Sequence, residues 1–78
     1  MLLPLTEQQK RRAQQILKTL AKKVGSQEAL AKSLYITPSS LSHLINGRFV
    51  PSARVCVLIE AKYGIKKEEI RPDIFMIN

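Results

Sequence analysis

The feature that most constrains the fold of this chain is a helix-start signal, Thr37-Pro38, that comes soon after another one at Ser26. Thr caps a helix with its hydroxyl, and Pro at the first helical position gives up no hydrogen bond that the helix needs. Between the two signals there is room for about two helical turns and then a turn, Tyr35-Ile36-Thr37. The sequence therefore predicts two short helices joined by a three-residue turn, the second running from Pro38 to Asn46.

The apolar residues of this segment have the spacing that packs two short helices near right angles. They are Leu30, Ala31, Leu34, Ile36, Leu41 and Leu44. The small side chain of Ala31 lets the two backbones approach closely. This spacing predicts a helix-turn-helix that spans residues 27–46.

Further helices flank this motif. Their predicted ranges are Thr6 to a left-handed cap at Gly25, Pro51 or Ser52 to Gly64, and 66–70. Thr6 and Gln9 form a capping box at the start of the first of them. The helix that ends at Gly64 is almost continuously apolar, which indicates that it either lies at the centre of the bundle or also packs against a partner. We expect an all-α fold, a compact bundle of about five short helices in a single domain, 1–78.

The net charge of the chain predicts an anionic partner. The chain has 13 Lys and Arg residues against 6 Asp and Glu, a formal net charge of +7. Nucleic acid fits this charge better than a membrane, because no long apolar helical face and no run of about 18 apolar residues is present. We expect a cytoplasmic protein that has no membrane partner.

Residue types that carry catalysis or bind metals are scarce. Cys56 and His43 are the single cysteine and the single histidine, so neither an intramolecular disulfide nor a zinc cluster can form. The six acidic residues follow no catalytic pattern. Cys56 lies among Val55, Val57 and Leu58 and is interpreted as a small buried hydrophobe. We expect no metal, no cofactor and no enzymatic activity.

Several stretches of the chain resemble the Cro/repressor family of bacterial and phage helix-turn-helix regulators, particularly its YdaS-type antitoxin or Cro-like branch. They are 25–31 (GSQEALA), 37–42 (TPSSLS), 44–48 (LINGR), Val50-Pro51, Ile59-Glu60 and 71–75 (RPDIF). The resemblance implies a lambda-repressor-like fold. One position departs from the family, which usually has Gly at the first turn position, where positive φ can be needed. This chain has Tyr35 there.

The resemblance also implies which residues contact DNA. The third helix enters the major groove in this family, so Pro38, Ser39 and His43 are expected to face base edges. The expected phosphate contacts are Gln27, Ser40, Asn46, Arg48 and, near the start of the fourth helix, Arg54. Lys10, Arg11 or Lys22 could lengthen this electrostatic footprint, depending on the face that they occupy. The Lys and Arg residues of the first helix are nevertheless interpreted as a solubilising face and are not counted as sites.

The leading functional hypothesis is a repressor that binds a double-stranded DNA operator. A homodimer is expected, with contacts from Ile70, Ile74, Phe75, Met76 and Ile77. The alternative for Ile70, Ile74 and Phe75 is docking on the chain's own core. A protein-interaction module that neutralises a cognate toxin is the alternative function. Binding of RNA or single strands ranks last, because the four aromatic residues form no evident stacking platform.

Overall fold

The computed structural model describes residues 5–75, and all regular structure in that range is helical. Six helices follow one another: α1 (Glu7–Val24), α2 (Gln27–Ser33), α3 (Pro38–Ile45), α4 (Ala53–Tyr63), α5 (Lys67–Ile70) and α6 (Pro72–Phe75). The predicted all-α class is confirmed. The sixth helix, α6, is additional and lies in a segment for which no helix is predicted. Within residues 5–75, none of the helices combines the length and apolarity needed to cross a bilayer.

The helices begin at the predicted caps. The Thr6 hydroxyl accepts from the backbone N–H of Gln9 at 3.1 Å, and the Gln9 side chain accepts from the Thr6 N–H at 2.9 Å, which completes the capping box. Ser26, Thr37 and Ser52 each accept from the backbone N–H three residues further on. The start of α4 is thus decided in favour of Ser52 as the cap, and Pro51 precedes it.

The helix ends differ from the predictions in small ways. α3 ends at Ile45, and Asn46 is its C-cap, so the helix is one residue shorter than predicted. Gly64 caps α4 in the left-handed region, with φ 74° and ψ 12°. The predicted left-handed cap at Gly25 is wrong in detail, since φ is 122° and ψ is −30°. Gly25 is followed directly by Ser26, the extended N-cap of α2, with φ −164° and ψ 163°.

The core forms where α1 packs against α2, α3 and α5. Five of the six predicted apolar positions of the helix-turn-helix are buried: Leu30, Ala31, Leu34, Leu41 and Leu44. Ile36 is partly buried and packs against the same cluster. The connection between α2 and α3 has four residues rather than three, because Leu34 is the C-cap of α2. The motif therefore has the packing that its spacing predicts.

Cys56 is fully buried in α4, as its apolar neighbours indicate. Burial raises the pKa of its thiol to about 11. The thiol therefore stays protonated near neutral pH, and the interpretation of Cys56 as a core residue holds.

A polar clamp fixes the C-terminal segment to the loop between α3 and α4. Arg71 donates from Nε and Nη2 to the two carboxylate oxygens of Asp73, at 2.9 and 2.6 Å. Its Nη1 donates to the backbone oxygen of Pro51 at 2.7 Å. Both charged side chains are largely shielded, with 16% and 13% of their surface exposed. Charge-assisted hydrogen bonds of this geometry are among the stronger polar contacts in proteins.

This clamp accompanies apolar contacts that bear on the expected dimer surface. Ile70 is completely buried, so it belongs to the core of the single chain and is not available to a partner. Phe75 packs against the same core, and the Lys67 ammonium lies 5.5 Å from its ring centroid. Ile70 and Phe75 therefore dock on the chain's own core, which is the alternative to a dimer contact. Ile74 is half-buried, and Met76 and Ile77 lie outside the described residues.

Tyr35 adopts the positive φ that the turn position requires, with φ 58°, and no other non-glycine residue within 5–75 does so. A side chain in the left-handed region costs about 1–2 kcal/mol. The Lys62 ammonium lies 4.6 Å from the Tyr35 ring centroid and donates to the backbone oxygen of Ser33 at 2.6 Å. The turn therefore has the backbone geometry that glycine usually provides, although Tyr35 occupies the position. A cation–π contact with Lys62 holds the Tyr35 ring.

Comparison of Tyr35→Gly with Tyr35→Ala isolates the backbone strain at this position, because both variants lack the ring. We expect the glycine variant to be more stable by about 0.5–1 kcal/mol, measured as the free energy of unfolding in urea. Tyr35→Phe keeps the ring and serves as the control, with stability close to that of the wild type. Equal stability of the glycine and alanine variants would contradict the strain.

The clamp also predicts how stability depends on pH. Hydrogen bonds from Arg71 hold the pKa of the Asp73 carboxyl below its ordinary value. Such a group stabilises the fold fully above its unfolded pKa, and this contribution is lost as pH falls through the lower folded pKa. We expect Asp73→Asn to be less stable than the wild type at pH 7 and the two proteins to converge below about pH 4. Urea titrations at a series of pH values test this, and curves that remain parallel would refute it.

Candidate nucleic-acid interface

The polar residues of α3 lie on the side of the helix that the core leaves open. Leu41, Leu44 and Ile45 are buried, while Pro38 and Ser39 are exposed and His43 is partly exposed. Ser39 and His43 are four residues apart and therefore lie on the same face, one turn from each other. The three residues predicted to face base edges thus belong to one helix whose opposite side is fixed in the core.

Ser40 has a local structural role in addition to its predicted one. Its backbone N–H donates to the Thr37 hydroxyl oxygen at 3.1 Å, and the Thr37 hydroxyl donates to the Ser40 hydroxyl oxygen at 2.9 Å. The Ser40 hydroxyl hydrogen takes no part in these two contacts. It is free to donate to an acceptor outside the helix, since a serine hydroxyl donates and accepts at the same time.

The loop after α3 folds back over the end of that helix. The backbone oxygen of His43 accepts from the N–H of Arg48 at 2.9 Å and from the N–H of Phe49 at 3.4 Å. The Phe49 ring stands edge to face against the His43 imidazole, with 5.5 Å between centroids and an interplanar angle of 83°. Phe49 is 59% exposed. Backbone pairing and ring contact together place Arg48 and Phe49 beside His43.

Two adjoining depressions form around the end of α3. The first, which we term the α3 hollow, has a volume of about 380 Å³ and is lined by Ser42, His43, Asn46, Gly47 and Arg48. The second, the α1 groove, has a volume of about 660 Å³ and separates the second half of α1 from the start of α2 and the end of α3. It is lined by Gln15, Lys18, Thr19, Ala21, Lys22, Gly25, Ser26, Gln27, Ile45 and Asn46. Asn46 lines both, so the two depressions adjoin at this residue and together make up one surface.

This surface brings together four of the eight predicted site residues: Gln27, His43, Asn46 and Arg48. Pro38, Ser39 and Ser40 lie at the other end of α3, about 9–12 Å along the axis from Asn46 at the helical rise. Arg54 is exposed in the first turn of α4 and lines neither depression. Seven of the eight residues are therefore on the helix-turn-helix or the loop that follows it.

Acidic side chains are absent from the lining of both depressions. The ion pairs of residues 5–75 involve the first half of α1, α4, α5 and α6: Lys10–Glu7, Arg12–Glu69, Lys67–Glu60, Lys67–Glu68 and Arg71–Asp73. Lys18, Lys22 and Arg48 have no such pair in the described part of the chain. The positive charge of the surface is therefore not neutralised within this range, and it attracts anions.

Phe49, which lies beside the α3 hollow against His43, and Lys18, in the α1 groove, are not among the residues predicted from the sequence, and Lys22 is named there only as a residue that would extend the electrostatic footprint. The signal for Phe49 is a large apolar residue directly after a helix stop, where a solvated loop would have a polar one. The signal for the two lysines is their spacing of four residues on one face of α1, but the sequence does not show what that face adjoins. Only packing of α1 against the helix-turn-helix places them here.

Comparison with known proteins gives one result. The model of a family described as "Bacterial toxin YdaS" matches residues 17–77, a range that includes the whole lining of the α3 hollow and that of the α1 groove except Gln15. Neither the curated proteins nor the solved structures contain a match.

Proposed function

Starting from the chain's membership of the bacterial toxin YdaS family, we propose that it is a sequence-specific regulator that binds double-stranded DNA with α3 in the major groove. The observation that carries the proposal is the pair of adjoining depressions, with no carboxylate in either lining, along which Gln27, His43, Asn46 and Arg48 lie. Amide, imidazole and guanidinium groups are the donors that phosphates and base edges accept from. A Cro-like or antitoxin-like repressor would act by occupying an operator and excluding polymerase.

Each residue has a role that follows from its chemistry. His43 is long enough to donate to a guanine acceptor, Ser39 donates or accepts at a base edge, and Pro38 offers an apolar contact to a thymine methyl. Arg48 binds phosphate as a charged donor, next to His43 across the α3 hollow. Gln27, Asn46 and Ser40 add neutral donors to the backbone of the duplex. In this proposal no metal, cofactor or catalytic step is needed.

We propose further that the regulator binds as a homodimer. One small module with short polar side chains buries too little surface for operator affinity, whereas two half-sites multiply specificity. Since Ile70 is in the core, the contact has to come from other residues, and Ile74 is half-buried at the end of the chain that is described. The segment after Phe75 adds Met76 and Ile77, two apolar residues.

A second candidate follows from the printed description of the family, which names a toxin. The chain would then arrest growth, or neutralise a partner that does, through protein contacts. The exposed Val57 and Val50 are apolar side chains that such a contact would bury. Induced expression of the wild type and of Arg48→Ala separates the candidates, because growth arrest that persists in the variant does not depend on DNA binding.

The DNA proposal predicts distinct effects for two variants. Arg48→Ala should lower the affinity for the selected duplex and for a scrambled duplex by the same factor, because a phosphate contact is independent of sequence. His43→Ala should reduce the difference in binding free energy between the selected and the scrambled duplex by about 1–3 kcal/mol, because it removes a base contact. Titrations at several salt concentrations, on sites first selected from a random duplex pool, measure both effects. An unchanged ratio for His43→Ala, or an affinity that does not depend on salt, would refute the proposal.

The dimer proposal predicts two protomers on a duplex with two half-sites, measured by sedimentation equilibrium. Truncation after Phe75 is the informative variant, since it retains Asp73 and the clamp with Arg71. We expect this shortened chain to stay folded by circular dichroism and to bind the duplex more weakly as a dimer. A full-length chain that binds such a duplex only as one protomer would refute the dimer.

A further inference from the structure

The α1 groove contains two lysines that the sequence assigns to a solubilising face. Lys18 and Lys22 are exposed, lie four residues apart on the same face of α1, and both line the groove. Lys23 follows Lys22 directly but does not line it. Two of the three lysines in the second half of α1 therefore line the groove, because residues four apart lie on the same face of a helix.

The two halves of α1 differ in how their charges are compensated. In the first half, Lys10 pairs with Glu7 at 3.6 Å, and Arg12 pairs with Glu69 at 2.7 Å. In the second half, Lys18 and Lys22 form no ion pair with any residue within 5–75, and the groove that they line contains no carboxylate. The two ammonium groups are therefore available to an anion from outside the chain.

The rest of the groove suits the backbone of a nucleic acid. Gln27 and Asn46 line it with neutral amide donors, and Gln15 and Thr19 add further polar groups. The groove continues through Asn46 into the α3 hollow, where His43 and Arg48 lie. In the proposed complex the phosphates that flank the major groove lie beside the elements that pack against α3, and α1 is one of these elements. Such a continuous arrangement favours a sugar-phosphate backbone over an acidic protein.

We infer that the α1 groove holds a segment of the sugar-phosphate backbone of the bound duplex, with Lys18 and Lys22 neutralising phosphates next to those that Gln27 and Asn46 contact. This inference rests on the proposed function and extends it. The footprint of one protomer then reaches beyond α3 and its loop to the second half of α1. Lys23 stays a solubilising residue, as the sequence interpretation has it.

The test replaces Lys18 and Lys22 by glutamine, singly and together, and uses Lys23→Gln as the control, because it removes the same charge from the same helix. Affinity for the selected duplex and for a scrambled one is measured over a range of salt concentrations. For the double variant we expect the slope of log affinity against log salt to fall by about 2 for each bound protomer, and so by about 4 for a dimer, close to one for each lost phosphate contact. Affinity should fall on both duplexes with their ratio unchanged, and Lys23→Gln should keep a slope near that of the wild type.

Two further measurements keep the outcomes distinct. Circular dichroism melts show that the variants are folded, and Lys18→Arg with Lys22→Arg should restore the slope because the charges return. If the wild type binds DNA but the double variant has the same slope as Lys23→Gln, the inference is overturned and the proposed function stands. If the wild type shows no salt-dependent binding to any duplex, the proposed function fails and the inference fails with it.

Discussion

The structure depends on the burial of one side of α3 against α1 and α2. Leu41 is fully buried, and Leu44 and Ile45 are nearly so, each worth about 1.5–3 kcal/mol when removed from water. Because these residues fix the rotation of an eight-residue helix, Ser39 and His43 have only the outer side to occupy. α3 is too short to be stable alone, so its orientation is set entirely by this packing.

The same packing separates the charges of the chain. The acidic side chains that form ion pairs do so at the start of α1 and in α4, α5 and α6, where they neutralise Arg12, Lys67 and Arg71. The linings of the α3 hollow and the α1 groove contain no carboxylate, and the Asp73 carboxylate in the neighbouring depression at Arg48 is paired with Arg71. A net charge of +7 is therefore unevenly distributed, and a cleft lined by one sign of charge attracts ligands of the other.

Two local features hold the loops on either side of α3. Before α3, Tyr35 adopts a left-handed backbone conformation. The Lys62 ammonium lies over the Tyr35 ring and donates to the backbone oxygen of Ser33 at the end of α2. After α3, the loop of Arg48 and Phe49 is bonded to His43 at one end, and Arg71 holds Pro51 at the other. Lys62 and Arg71, which hold these two loops, are distant from them in sequence. They give the short helix-turn-helix fixed boundaries that its own length does not supply.

Local chemistry was sufficient to predict the starts of α1 to α4, the all-α class and the helix-turn-helix, because capping and apolar spacing act within a few residues, as at Thr6, Thr37 and Ser52. Family resemblance, and not spacing, supplied the candidate contacts such as His43. Tertiary packing alone decided that Ile70 belongs to the core, that Phe49 meets His43, and that Lys18 and Lys22 face Gln27 across a groove. These relations join residues from separate elements, and a periodic pattern gives the face of a helix without giving the neighbour that it faces.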